Sequence, residues 1–174
     1  YNVNVATVSE YIVGNYISAD RTDTKTFIPF LKKLCSTYPV QRVVADSGYE
    51  SEENYSYVDG SEQLSLFVKP ADHEQKKKRK YKTDIGRREN MAYDAEKDAY
   101  TCAQGKKLQA AAVKKRRSET GYVQEVTVYE CADCKGCPVK AQCIRQKKTD
   151  KKSLEDRVKR LNVSKYFIQQ RKAM

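Results

Sequence analysis

The stretch Arg42-Val43-Val44-Ala45-Asp46-Ser47-Gly48-Tyr49 sets the fold. It is a short, largely apolar run that ends on a carboxylate and passes at once into a glycine-containing turn. Such a run suits a buried strand whose carboxyl end opens into a site. Upstream, Thr22-Asp23 forms an N-cap signal, and Phe27, Ile28, Phe30, Leu31 and Leu34 give one buried face to a helix of about three turns, with Pro39 beyond its end. Downstream, Ser51-Glu52-Glu53 starts a second helix that Asp59-Gly60 closes, and residues 64–68 (LSLFV) read as a strand before Pro70. Residues 2–8 alternate and residues 11–19 are rich in β-formers, with a polar break at Ser9-Glu10, which predicts a hairpin. The order strand, strand, helix, strand, helix, strand is an α/β pattern.

After Pro70 the character changes. Residues 76–82 (KKKRKYK) carry six basic residues in seven, too repulsive to bury, and are expected as a solvated loop. Residues 91–101, 106–113 and 121–130 alternate weakly, as in a small meander, and a second basic stretch covers 145–152. Arg157–Val163 reads as a strand, and Ser164 caps a helix running toward Met174. The organisation expected is a core over 1–70, a basic cysteine-rich insertion over 71–152, and a return to the core over 153–174.

The net charge of +11 is unevenly placed. Residues 1–70 hold 6 Lys and Arg against 9 Asp and Glu, whereas residues 71–174 hold 28 against 14. That asymmetry points the second half toward a polyanion. The acidic first half argues against a ribosomal or membrane-surface protein, and no run approaches the ~18 apolar residues of a membrane span. Phosphate contacts are expected from Lys76, Lys77, Lys78, Arg79, Lys80 and Lys82, from Arg87 and Arg88, and from Lys114, Lys115, Arg116 and Arg117. Aromatic residues are too sparse among them for base stacking, so backbone binding without sequence readout is the expectation.

Five of the six cysteines fall between 102 and 143, spaced as Cys102, then Cys131-x2-Cys134-x2-Cys137-x5-Cys143. With no signal peptide in view, clustered cysteines point to a metal before disulfides. Four thiolates suit tetrahedral Zn²⁺, and a polar segment with little apolar content gains from a metal what a core does not supply. The expected ligands are Cys102, Cys134, Cys137 and Cys143, with Cys131 the alternative to one of them; an iron–sulfur cluster is the rival occupant. Cys35 is expected in the core and His73 on the surface.

An aspartate after a strand is most often a turn former, so Asp46 gains meaning from its context. Tyr1-Asn2-Val3-Asn4-Val5-Ala6, Thr22-Asp23-Thr24 and the run from Val43 to Asn54 stand in the order and spacing found in insertion-sequence transposases of the DDE superfamily. The chain resembles the group with a cysteine-containing insertion before the final catalytic residue. Tyr100-Thr101-Cys102 with Gly105-Lys106, and Cys134-Lys135-Gly136-Cys137-Pro138 with Gln142-Cys143, extend the resemblance over essentially the whole chain.

The resemblance implies an RNase H-like core, a mixed sheet with flanking helices, in which Asp46 is the second of three metal-binding acidic residues. The first would lie on a strand before Tyr1 and the third on a helix beyond Met174, so the chain alone is expected to be inactive. Asp20, Asp23, Glu50, Glu52 and Glu53 match neither missing position. For the intact protein it implies two Mg²⁺ or Mn²⁺ ions about 4 Å apart that drive phosphodiester hydrolysis and strand transfer. The implied partner is double-stranded DNA, at transposon ends and target, with homo-oligomeric assembly and a cytoplasmic, DNA-associated location. The alternative is a non-catalytic DNA-binding module built on a metal-bound cysteine unit.

Overall fold

Alternation over the first eighteen residues produces a hairpin in which β1 (Asn2–Val8) pairs antiparallel with β2 (Tyr11–Ser18). Its turn residues Ser9 and Glu10 both take positive φ, 48° and 71°, as a two-residue hairpin turn of matching twist requires. The computed structural model describes residues 1–146, 149 and 152–173; positions 147, 148, 150 and 151 of the basic stretch, and Met174, lie outside the described residues. These residues form two compact units.

The first unit takes in Tyr1–His73, Arg117–Tyr122 and Tyr166–Met174. After the hairpin comes α1 (Asp23–Cys35), which buries Thr26, Phe27, Phe30 and Leu31. Thr22 precedes it in extended conformation but makes no side-chain cap; its hydroxyl pairs with that of Thr24. Next are β3 (Arg42–Ala45), α2 (Glu52–Asp59) and β4 (Ser65–Val68). Ser51 caps α2, its Oγ accepting from the Asn54 backbone N–H at 3.1 Å. β3 and β4 pair in parallel, Val43 against Leu66 and Ala45 against Val68, the geometry a helical crossover produces.

Phe27, Leu31 and Val58 form a core onto which Val43, Ala45, Leu66 and Tyr49 pack. The other face of this strand pair is open, with Val44 79% and Phe67 43% exposed. The run 42–46 is therefore buried on one face only, because both helices pack on the same side of a sheet that is two-stranded among the described residues.

The second unit takes in Glu74–Arg116 and Val123–Lys165. The basic run expected as a loop instead forms two short helices, α3 (His73–Lys77) and α4 (Arg79–Lys82). Tyr81 explains the difference: its ring is buried, with the Arg87 guanidinium 4.0 Å from its centroid, while the lysines around it stay in solvent. The meander follows as β5 (Ala92–Asp94), β6 (Ala99–Thr101), β7 (Lys107–Arg117) and β8 (Val123–Glu130). A short helix α5 (Lys140–Cys143) then leads to β9 (Arg160–Val163). The five strands form one sheet in sequence order. Leu108, Val126, Val128, Leu161 and Val163 fill its core with Tyr100 and Tyr129, whose rings meet edge to face at 4.9 Å. Asp98, at φ 44°, accepts from the hydroxyls of Tyr93 and Tyr129, each at 2.6 Å, and from Lys165 Nζ at 2.8 Å.

Two later segments complete the first unit. In the turn after β7, Tyr122 donates to Glu52 at 3.1 Å and Thr120 to Glu53 at 2.6 Å, and Glu119 pairs with Lys25. In α6 (Lys165–Ala173), Phe167 packs on Tyr55, and Arg171 donates to both oxygens of Glu50. The Glu50 side chain is 1% exposed and also accepts from Ala71 N–H at 2.7 Å and Tyr55 OH at 3.0 Å.

Removing one partner of such a buried pair strands the other. Glu50→Ala is expected to lower the unfolding free energy by about 3 kcal/mol, measured by urea denaturation; a loss within experimental error would contradict the buried pair. In the second unit, hydrogen bonds from Lys165, Tyr129 and Tyr93 hold the Asp98 carboxyl down at about 2. Its folded value lies below the unfolded one near 3.9, so its stabilisation is present above that value and fades as pH falls toward 2. Tyrosine near-UV circular dichroism should show stability dropping between pH 5 and 2, with a shallower drop in Asp98→Asn.

Candidate functional site

Asp46 stands at the carboxyl end of β3, exposed, and caps the 3₁₀ turn Ser47–Tyr49 by accepting from Gly48 N–H at 2.8 Å. The turn is anchored behind it. Tyr49 OH donates to Asn4 Oδ1 at 2.6 Å, and Thr26 Oγ1 donates to the same oxygen at 2.7 Å. Asn54 donates to Tyr49 O at 2.7 Å and to Thr24 O at 3.1 Å. Burial, reinforced by the negative charges of Asp23 and Asp46, pushes the Tyr49 phenol up, so it acts as a donor at neutral pH.

A second carboxylate reaches this turn. Asp23, in the first turn of α1, is held by Asn2 Nδ2 at 2.7 Å. A Cβ added at Gly48 would lie 2.5 Å from Asp23 Oδ2 and 3.1 Å from Asp46 Oδ1. Gly48 is thus the space between two carboxylates. The sequence marks Asp23 as part of a helix-start signal, and its approach to the Asp46 turn has no spacing that would reveal it.

The cysteines come together in the second unit. Cys102, Cys131, Cys134, Cys137 and Cys143 line one cavity of about 20 Å³, beside Ile85, Val139 and Ile144. A tight turn at Cys102 shapes one wall, with Gly105 at φ 72° donating to Cys102 O at 2.9 Å; Gly136 takes φ 64° on the other arm. Cys134 Sγ accepts from Lys159 N–H at 3.4 Å. Burial pushes the Cys131 thiol up to about 11, with a hydrogen bond to Cys134 adding to it, and burial also raises Cys143 against the opposing charge of Lys159. Among the described residues no three His, Cys, Asp or Glu side chains converge as a ready metal-ligand set. Cys35 is exposed on α1, not in the core as expected, and His73 is exposed.

Of the basic residues, Lys76, Lys77, Lys78, Arg79, Lys80 and Lys82 are exposed, and so are Lys114, Lys115, Arg116 and Arg117 on β7. Arg87 and Arg88 are half-buried and engaged, Arg87 with Asp84 and the Tyr81 ring, Arg88 with Glu89 at 2.7 Å.

Residues 101–173 match the family described as Transposase DDE domain. The match covers under half of the chain and supports a DDE-superfamily transposase. No curated protein and no solved structure matches it. The DDE-domain segment holds all five cavity cysteines and α6, while Asp46 lies upstream of it. No helix among the described residues is long and apolar enough to cross a membrane.

The carboxylate spacing across Gly48 has a direct consequence for stability. Gly48→Ala is expected to cost about 1–2 kcal/mol, the scale of overpacking by a methyl group. In an Asp23→Ala background the same change should cost less, a coupling that a double-mutant cycle in urea would read. Additive effects would contradict the close approach.

Proposed function

We propose that this chain is part of the catalytic domain of a DNA transposase, with Asp46 a carboxylate ligand of the reacting metal ions. The DDE-domain match over 101–173 carries the reading. An exposed carboxylate at the carboxyl end of a parallel strand, on a turn tied into the core, supports it. Hard oxygen ligands suit Mg²⁺ or Mn²⁺, which would supply activation of the attacking oxygen and neutralisation of the leaving one. The chain's own part is to hold the Asp46 carboxylate still at the edge of solvent.

In this reading residues 1–70 begin an RNase H-like core, 71–152 are a basic cysteine-rich insertion and 153–174 return to the core. Among the described residues β1–β2 and β3–β4 are separate two-stranded sheets; in an RNase H-like sheet a further strand would join them and carry the first acidic residue. The third would come from a helix after the insertion. Asp46 does not by itself amount to a three-carboxylate site, so the chain alone is inactive toward DNA. The intact transposase acts on double-stranded DNA at the transposon ends and target, as a homo-oligomer.

Exposed basic residues at 76–82 and 114–117 supply phosphate contacts, and the exposed Lys77 also pairs with Glu74 at 3.1 Å, whereas Arg87 and Arg88 are half-buried. Successive residues of a strand point to opposite faces, so Lys114 and Arg116 present charge on one side of β7, and Lys115 and Arg117 on the other. The soft cysteine cavity is a second, structural metal site for Zn²⁺, with an iron–sulfur cluster as the other occupant of this chemistry. The strongly basic second half also favours a second reading, a DNA-binding module without catalysis.

One experiment separates the two. A longer polypeptide that contains this chain, with an upstream strand-end aspartate and a downstream helical glutamate, should cleave transposon-end DNA with Mg²⁺. Asp46→Asn should lower that rate at least about a hundredfold with duplex affinity unchanged. Salt-sensitive binding without cleavage would favour the binding module, and cleavage surviving Asp46→Asn would remove Asp46 from the site.

A further inference from the structure

We propose that Arg171 of α6 is a positioning residue for Asp46, acting through the buried side chain of Glu50. This rests on the reading of Asp46 as a metal ligand and adds the residues that aim it.

Glu50 is a carboxylate with no task in that reading. It stands four residues after Asp46, and its side chain is 1% exposed. Burying a charge is costly unless its oxygens are met by donors. Here Oε1 accepts from Arg171 Nε at 2.6 Å and from Tyr55 OH at 3.0 Å, and Oε2 accepts from Arg171 Nη2 and from Ala71 N–H at 2.7 Å. The guanidinium grips both oxygens with a rigid fork, which sets the plane of the carboxylate as well as its place. Asp72, 3.3 Å from Arg171, and the Phe167 ring, 4.6 Å from the guanidinium carbon, steady the fork.

A buried pair of this kind adds little net stability over apolar residues of the same volume, but it holds one geometry. The geometry it holds is the end of a short turn. Glu50 N–H donates to Ser47 O and Tyr49 N–H to Asp46 O, each at 3.3 Å, which closes the 3₁₀ turn that Asp46 caps. Asp46 Oδ1 accepts from Gly48 N–H at 2.8 Å. The two carboxylates thus stand at opposite ends of one hydrogen-bonded turn of three residues. Asn4 and Asn54 fix that turn at Tyr49, and Glu50 fixes its far end.

Through Glu50 the hold passes to α6. This helix has no fully buried side chain among the described residues and docks through Phe167 on Tyr55, Tyr166 OH on Asp59 at 3.1 Å, and Arg171 on Glu50. Of these contacts, that of Arg171 bears on the strand-end turn. Arg171 lies in the segment that matches the DDE-domain family and Asp46 lies upstream of it, so the pair ties the matched segment to the carboxylate.

Arg171→Lys tests the link, because it keeps the charge and replaces the fork with a single point donor. By NMR on this chain without metal, the Gly48 amide proton should move upfield as its bond to Asp46 loosens, while the amides of the β1–β2 hairpin stay in place. Tyr55→Phe removes one neutral donor to Glu50 and leaves the ion pair; it should give a smaller shift in the same direction, and it decides the matter if Arg171→Lys does not fold. A Gly48 resonance that does not move in the folded variant would overturn the proposal. In the longer transposase polypeptide, Arg171→Lys should raise the Mg²⁺ concentration for half-maximal cleavage about tenfold, the scale of lost support around a metal ligand, with duplex affinity unchanged. A purely structural role would instead leave less active enzyme with the same Mg²⁺ requirement, and that result would also overturn it. No cleavage by the unmodified polypeptide would count against the Asp46 reading, and the Gly48 shift would still decide the link from Arg171.

Discussion

Asn4 ties the first unit together. Its side chain, 2% exposed, accepts at Oδ1 from Thr26 of α1 and from Tyr49 of the turn after β3, and its Nδ2 reaches Asn2 Oδ1 at 3.2 Å. A buried amide left unpaired costs about 1–3 kcal/mol, so strand, helix and turn hold one register or lose that much. Asp46 is three residues from Tyr49 and Asp23 three from Thr26. The polar contacts of Asn4 therefore fix both carboxylates at their distance from Gly48. An apolar residue at position 4 would fill the space without specifying the register.

The two units divide the chemistry. The first presents the carboxylate oxygens of Asp46 on a turn open to solvent. The second gathers five cysteine thiols around one cavity, beside Ile85, Val139 and Ile144 and the charged Lys106, Asp133 and Lys159. Charge is divided in the same sense, with the exposed lysines and arginines of 76–82 and most of 114–117 on the second unit and acidic residues in excess over 1–70.

Much of this was legible in local sequence signals. The hairpin was written in the alternation of residues 2–8, α1 in the spacing from Phe27 to Leu34, and α2 in Ser51 as its cap. The strands β3 and β4 and the helix between them were legible in two short apolar runs, while their parallel pairing came from the structure. What escaped depends on contacts distant in sequence. The helices at 76–82 were hidden because charge density masked a single anchor, Tyr81, whose partner Arg87 lies in a later turn. The open face at Val44 reflects which side the helices chose, which four residues of strand cannot announce. Asp23 and Asp46 meet across a glycine, and the backbone donor to Cys134 comes from Lys159; neither relation has a spacing rule. The gathering of five cysteines around one cavity was readable from their clustering.

Whether Asp46 is a ligand for the reacting cations is the point on which the functional account turns. Paramagnetic broadening by Mn²⁺, read by NMR on a transposase domain that includes this chain, tests it most directly. The account predicts that amides of residues 46–49 and of Asp23 and Thr24 broaden first, and that Asp46→Asn removes the effect. Broadening centred elsewhere, with the turn after β3 unaffected, would contradict it.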